Sequence, residues 1–166
     1  MTELTFHAPA PDDFEAMHAM ASDWQVVRQL GRWAWPVEPD QVRSFCKSFE
    51  GDGLVWTIKE NGRFAGRVGV TGGAIGYTLP QSAHGRGIAT RASRFAIAHA
   101  FDLLDLETIH GSTWHDNRAS ARVLEKLGFD HWQTHYDHAR ARGLPVLIHQ
   151  FRLTRSTWDR LSAAAK

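Results

Sequence analysis

The chain predicts an α/β (α+β) fold, a sheet of mixed strand direction with helices on its faces. Three observations predict it. Short apolar runs alternate with stretches of helical periodicity along the whole length. The pair Asn61-Gly62 separates two strand-like runs, a strong hairpin signal. A third run ends at Pro80 and leads through a glycine-rich loop into a long helical pattern and another strand. That strand–helix–strand unit, residues 74–114, requires a right-handed crossover between parallel strands.

The elements follow in order. Leu4-Thr5-Phe6-His7 alternates and reads as a strand. Pro11-Asp12-Asp13 opens a helix with an acidic first turn, and Phe14, Met17, His18 and Ala21 follow at helical spacing. Ser22-Asp23-Trp24 caps a second short helix through Leu30, which Gly31 stops. Residues 33–39 hold two prolines and form a loop. From Asp40 a helix presents Val42, Phe45, Cys46 and Phe49 on one face. Residues 54–58, 63–70 and 74–79 make a three-stranded meander. The helix after the glycines carries Ile88, Ala92, Phe95, Ala96, His99 and Leu103 on one side. Residues 108–114 are a strand, 117–127 a helix ended by Gly128, and 132–136 with 146–153 a closing antiparallel pair.

A chain of 166 residues is expected to form one domain over 1–166 with a sizeable core. A net charge of +1 argues against a polybasic nucleic-acid binder, so no nucleic-acid partner is expected. No run approaches the roughly 18 apolar residues of a membrane span, and Met1-Thr2-Glu3-Leu4 does not open a signal peptide, so no membrane partner is expected. The single cysteine, Cys46, excludes an internal disulfide and fits a reducing cytoplasm. It lies on an apolar helix face and reads as buried filling. His131, His135 and His138 fall in strand and turn without a cysteine, so no metal is expected. Four of seven tryptophans, Trp24, Trp33, Trp35 and Trp56, crowd the first third, as pocket lining or as packing. Oligomeric state, monomer or homodimer, stays open.

The chemistry concentrates in two segments. In Tyr77-Thr78-Leu79-Pro80-Gln81-Ser82-Ala83-His84-Gly85-Arg86-Gly87-Ile88-Ala89-Thr90, free N–H groups meet the positive end of a helix dipole, where a phosphate can sit. The loop lacks the Gly-x-x-x-x-Gly-Lys-Ser/Thr of a P-loop and the third glycine of a dinucleotide fingerprint, where Thr90 stands. Alone it is equally a phosphate cradle or a plain strand-to-helix turn. The second segment runs from Asn117 to Phe129. Asn117 and Ser120 share a helix face near its N-terminus and can hydrogen-bond an extended ligand; equally, Asn117 is an N-cap and Gly128 a C-cap.

Together the two segments resemble the Gcn5-related N-acetyltransferase (GNAT) superfamily. His84-Gly85-Arg86-Gly87-Ile88-Ala89 matches its pyrophosphate loop, Gln/Arg-x-x-Gly-x-Gly/Ala, except at the first position. Asn117-x-x-Ser120 followed by Glu125-Lys126-Leu127-Gly128-Phe129 resembles its second motif. Pro11-Asp12-Asp13, the 33–39 loop and Ile75-Gly76-Tyr77 are similar to the branch with the ribosomal-protein alanine N-acetyltransferases. The resemblance implies a mostly antiparallel sheet of about seven strands, with a splay between strands 4 and 5. It implies acetyl-CoA as co-substrate, its pantetheine arm filling the splay. Backbone groups of Tyr77, Thr78 and Leu79 would pair with the arm. N–H groups in the segment His84, Gly85, Arg86, Gly87, Ile88, Ala89 and Thr90 would hold the pyrophosphate, Asn117 the arm, and Ser120 would approach the thioester. Arg86, Arg91, Arg94 and Arg122 meet the 3′-phosphate or form a solvated face.

The reaction so implied is acetyl transfer by direct attack of a primary amine, on a protein N-terminus or a small molecule. In much of the family a Tyr seven residues after the motif Asn protonates the leaving thiolate; here that position is Leu124, and Ser120 substitutes. The usual carboxylate before the Ile-Gly-Tyr strand is replaced by Ala74. His115 and Asp116, at the end of the fifth strand beside Asn117, are the base candidates, His115 being suited by its pKa range, or else His115 is an exposed loop histidine. Positioning alone, with solvent taking the proton, also serves. Trp33 and Trp35 suggest an acceptor wall. The missing Tyr and carboxylate motivate an alternative, an inactive acyl-CoA sensor or interaction module of the same fold.

Overall fold

The computed structural model describes residues 2–164. Both ends of the domain expected over 1–166, Met1 included, lie outside them. One seven-stranded sheet runs in the order β1-β2-β3-β4-β5-β7-β6. Its strands are β1 (Leu4–His7), β2 (Gly53–Glu60), β3 (Arg63–Thr71), β4 (Ala74–Thr78), β5 (Thr108–Trp114), β6 (Asp130–Ala139) and β7 (Leu144–Thr154). The helices are α1 (Phe14–Ala21), α2 (Trp24–Val27), α3 (Pro39–Phe45), α4 (Ile88–Leu103), α5 (Arg118–Lys126) and α6 (Arg155–Ala164).

Every neighbouring pair is antiparallel except β4–β5. That parallel pair is in register at one position, Ala74 opposite His110, beside a bond from His110 N–H to Gly73 O (2.9 Å). Beyond it the two strands diverge, and the splay between strands 4 and 5 opens at their C-terminal ends. Asn61 (φ 49°) and Gly62 (φ 77°) both take the left-handed conformation that a tight β2–β3 turn with right-handed twist demands. Gly66 (φ 138°) brings β3 hard against the end of β4, where a Cβ would lie 2.3 Å from the Thr78 carbonyl oxygen.

The main core joins α4 and α5 to the sheet through Ile88, Ala92, Ala96, Ile97, Val68, Val70 and Leu124, with Trp158 of α6 at one end. A second core lies under α1–α3, built on Met17, Val27, Trp33, Val42 and Cys46. Burying these side chains is the main stabilising term for both layers.

Several boundaries depart from expectation for local reasons. The second helix ends at Val27 rather than Leu30, because the chain tightens into i→i+3 turns, Gln29 N–H donating to Val26 O (3.0 Å) and Leu30 N–H to Val27 O (2.9 Å). The third helix ends at Phe45, and Phe49 falls beyond it, 39% exposed, instead of continuing the apolar face. Leu103, expected on the inner side of α4, is 66% exposed; Ser93, Ala100 and Phe101 fill that face. Helix α6 was not foreseen. It buries only Trp158, so its apolar periodicity is faint, and Arg155 anchors it by donating to the carbonyls of Phe101 (2.8 Å) and Leu106 (3.1 Å). No described helix is long and apolar enough to cross a membrane.

Candidate active site

A cleft of about 1220 Å³ runs along the splay and is lined by residues of both the α1–α3 and the α4–α5 sides. On the α4–α5 side its wall is the loop before α4 and the first turns of both helices. Gly85 (φ 71°) and Gly87 (φ 73°) turn the chain, and a Cβ on either would meet nothing within 4 Å. The glycines are required by conformation rather than by crowding. The first helical bond is from Arg91 N–H to Gly87 O (3.1 Å). Among the described residues, no backbone carbonyl accepts from the N–H groups of residues 85–90. Six consecutive free donors at the positive end of a 16-residue helix can hold an anion.

His84 lines the cleft and donates through Nε2 to the Leu79 carbonyl (3.0 Å), pinning the loop to the end of β4. Arg86 turns away, pairing with Glu60 and donating to Ser82 O (3.2 Å). Arg91 donates to Thr2 O (2.9 Å). Of the four arginines expected near a phosphate, Arg122 alone is in the cleft wall; Arg86, Arg91 and Arg94 are not.

At the centre of the splay the Tyr77 phenol meets Ser120. The two hydroxyls are 2.7 Å apart, and the phenol also reaches Ser120 O at 3.2 Å. Burial pushes the Tyr77 pKa up to about 12, although the Ser120 hydrogen bond lowers it, so the phenol stays protonated at neutral pH. Asn117 caps α5 by accepting from Ser120 N–H through Oδ1 (3.1 Å), and it lines the cleft as well. Tyr77, Thr78, Leu79, Ile88, Ala89 and Thr90 are also in the wall.

His115 is exposed and outside the cleft wall. Asp116 beside it is held in a cage. Arg142 reaches Oδ1 (2.9 Å) and Oδ2 (3.0 Å), and Arg28 reaches Oδ2 (2.9 Å). Burial raises the Asp116 pKa, but the Arg142 hydrogen bonds and the Arg142, Arg28 and His115 charges outweigh it and hold the carboxyl below its usual range. A carboxylate so stabilised is a weak base. Trp33 is buried, stacks on Phe45 (4.8 Å) and lines the cleft; Trp35 is exposed, packs on Trp24 (5.3 Å) and lies outside it. The sequence reading did not single out the Arg28–Asp116–Arg142 cage, the Tyr77 phenol or Arg67. Arg67 left a readable signal, one cation inside the otherwise apolar run 64–70.

Residues 3–130 match the acetyltransferase (GNAT) domain family. The chain is 28% identical over 138 residues to the "Uncharacterized N-acetyltransferase p20" of Bacillus licheniformis, covering 82% of this chain and 69% of that protein. It is 44% identical over 55 residues to the "Probable N-acetyltransferase YjcK" of Bacillus subtilis (strain 168), a match spanning 33% of this chain and 30% of that protein. The fold superposes on RimL, a ribosomal L7/L12 alpha-N-protein acetyltransferase in complex with coenzyme A, with a TM-score of 0.77 at 19% identity, over 93% of this chain and 95% of that one. The family match spans the cleft wall apart from Ile148, and by it the chain belongs to the GNAT acetyltransferase family.

Proposed function

We propose that residues 1–166 form one cytoplasmic acetyltransferase domain that moves the acetyl group of acetyl-CoA to a primary amine by direct attack. The observation that carries this reading is the continuous cleft. It leads from the free N–H groups of residues 85–90, past Tyr77 and Ser120, to the α1–α3 side. The coenzyme A bound to RimL supports the donor; that protein's acceptor, a protein N-terminus, supports an amine.

In this reading the N–H cradle holds the pyrophosphate, and β4 and Asn117 hold the pantetheine arm. The amine lone pair attacks the thioester carbon, the C–S bond breaks, and the thiolate leaves with the electron pair. A thiol has a pKa of about 8.5, well below the Tyr77 phenol. Proton transfer from that phenol to the thiolate is uphill, so the Tyr77–Ser120 pair stabilises the thiolate by hydrogen bonding. The proton that the amine sheds neutralises the thiolate through solvent. With Asp116 caged and His115 outside the wall, positioning supplies the rate.

Those same two facts favour a second reading, an acyl-CoA sensor without turnover. Thermal-shift measurement with CoA and a thiol-release assay over an amine panel separate the two. Stabilisation with release supports the enzyme. Stabilisation without release over the panel supports the sensor. No stabilisation by CoA defeats both.

A further inference from the structure

Arg67 is the unexplained cation of the cleft. It projects from β3 on the α1–α3 side, while its strand neighbours Val68 and Val70 point to the opposite face, into the core under α4. Its guanidinium lies over the Phe45 ring at 4.6 Å. Among the described residues it makes no ion pair and donates no hydrogen bond, and Nη1 is buried without a partner. Arg28 in the same wall, by contrast, is satisfied by Asp116. A desolvated, unpaired N–H on a charged group disfavours folding, and an apolar side chain would pack on Phe45 without that penalty.

Its place in the sheet is specific. Arg67 stands opposite Thr78, the last residue of β4, across the antiparallel pair at the mouth of the splay. It shares that wall with Phe45 and Trp33, on the α1–α3 side, away from the N–H cradle. The wall as a whole is strongly cationic. Arg32 and Lys47 line it near Arg67, together with the Asp116-paired Arg28 and one carboxylate, Glu50, and Arg122 and Lys126 of α5 add charge on the other side. With a net charge of +1 for the whole chain, this is a local concentration of positive charge. Burial lowers the Arg67 pKa to about 10, with the Cys46 thiol raising it and Arg32 lowering it further, so the group is charged at neutral pH.

We infer that Arg67 selects the acceptor by binding a carboxylate carried by the amine substrate. The inference rests on the transferase reading above and names its substrate class. A guanidinium presents a planar fork that pairs bidentately with a carboxylate, and the buried Nη1 would then gain the partner it lacks. A polyamine would meet a like charge at Arg67. The carboxylate belongs either to a small amino acid or to the acidic first residue of a peptide.

The test measures CoA release with matched acceptors. 3-Aminopropanoate is compared with 3-aminopropanamide, and the peptide amide Asp-Ala-Ala with Asn-Ala-Ala. Spermidine is the cationic control. In at least one pair the carboxylate member exceeds its amide by about tenfold or more in kcat/KM, the range expected of a charge-assisted pair. The pair that responds identifies the source. Arg67→Met collapses the ratio to within about threefold and Arg67→Lys leaves it intermediate, while stabilisation by CoA is unchanged. Ratios near one in the wild type, or spermidine as the best acceptor, overturn the inference. So does a ratio that Arg67→Met leaves intact while both rates and the Tm fall, since that marks Arg67 as a packing residue. Absence of release with every acceptor, while CoA still stabilises the protein, instead overturns the transferase reading beneath it.

Discussion

The two sides of the cleft are built from different materials. The α4–α5 side is made of backbone: free N–H groups from one short loop, set by two glycines in the left-handed region. The α1–α3 side is made of side chains brought together from distant parts of the chain. Arg142, in the β6–β7 turn, donates to the Arg28 carbonyl 114 residues away and closes on Asp116 at the end of β5. A backbone site depends on φ and ψ and is indifferent to most side chains. A side-chain site depends on identity at each position and on long-range packing. The first side should therefore respond to changes of conformation, the second to deletion of single groups.

The largest effect is expected at Gly87. A β-branched residue in the left-handed region costs about 1–2 kcal/mol, and its methyl groups would cover the N–H cradle. In Gly87→Val, CoA affinity measured by calorimetry falls at least about a hundredfold, which is about 2.7 kcal/mol, with the Tm lowered by only a few degrees. His84→Ala in the same loop removes a side-chain brace and leaves the cradle, so affinity drops by only about threefold. Comparable losses in the two variants would break the contrast.

On the opposite side, Arg142→Ala removes part-buried donors to Arg28 O and Gln29 Oε1 and those to both Asp116 oxygens, and leaves the exposed Asp116 carboxylate with Arg28 alone. A loss of about 2–3 kcal/mol follows, seen as a Tm lower by about 5–10 °C. CoA affinity stays within about twofold of wild type, because no donor of the cradle moves. A variant that loses CoA binding in proportion to stability would show that the two sides are one cooperative unit.

Where the sides meet, Tyr77→Phe and Ser120→Ala each lower kcat by about tenfold with CoA affinity retained, and the double variant falls far short of a hundredfold, since the hydroxyls act as a pair. The raised Tyr77 pKa adds a sign. A phenol protonated up to about pH 12 contributes no limb to the rate profile between pH 6 and 9. Tyr77→Phe lowers that profile without changing its shape. A limb that disappears in the variant would make Tyr77 a titrating acid or base.

The same division explains what could be read in advance. The β2–β3 hairpin, the glycine loop and the Asn117–Ser120 cap are local, and each leaves its signature within a few residues. So does the sheet, through the alternation of 54–58, 63–70 and 74–79. The Arg28–Asp116–Arg142 cage has no local signature, because its members lie on three separate elements. Asp116 read as a possible base for that reason; its partners are visible only once the β6–β7 turn is folded against α2. Helix α6 was missed because one buried tryptophan makes no period, although Thr154 Oγ1 does accept from Thr157 N–H (3.3 Å) as a cap. The Tyr77 phenol was missed because the strand was read for its backbone alone. Arg67 was overlooked because a single charge in an apolar strand is not itself a motif.

The smallest effect is the pH dependence of the cage. The Asp116 carboxyl is held below its usual range in the folded protein, so its ionised form stabilises the fold. That contribution is fully present above the unfolded value of about 3.9 and disappears as pH falls through the lower folded value. Asp116→Asn cannot titrate. The gap in unfolding free energy between wild type and Asp116→Asn should be constant, at about 1 kcal/mol, between pH 7 and pH 5. It should then narrow toward pH 3. Urea unfolding of both proteins at these three pH values measures it. A gap that widens on acidification would mean that burial, not the two arginines, dominates at Asp116, and the carboxylate would return as a candidate base beside the cleft.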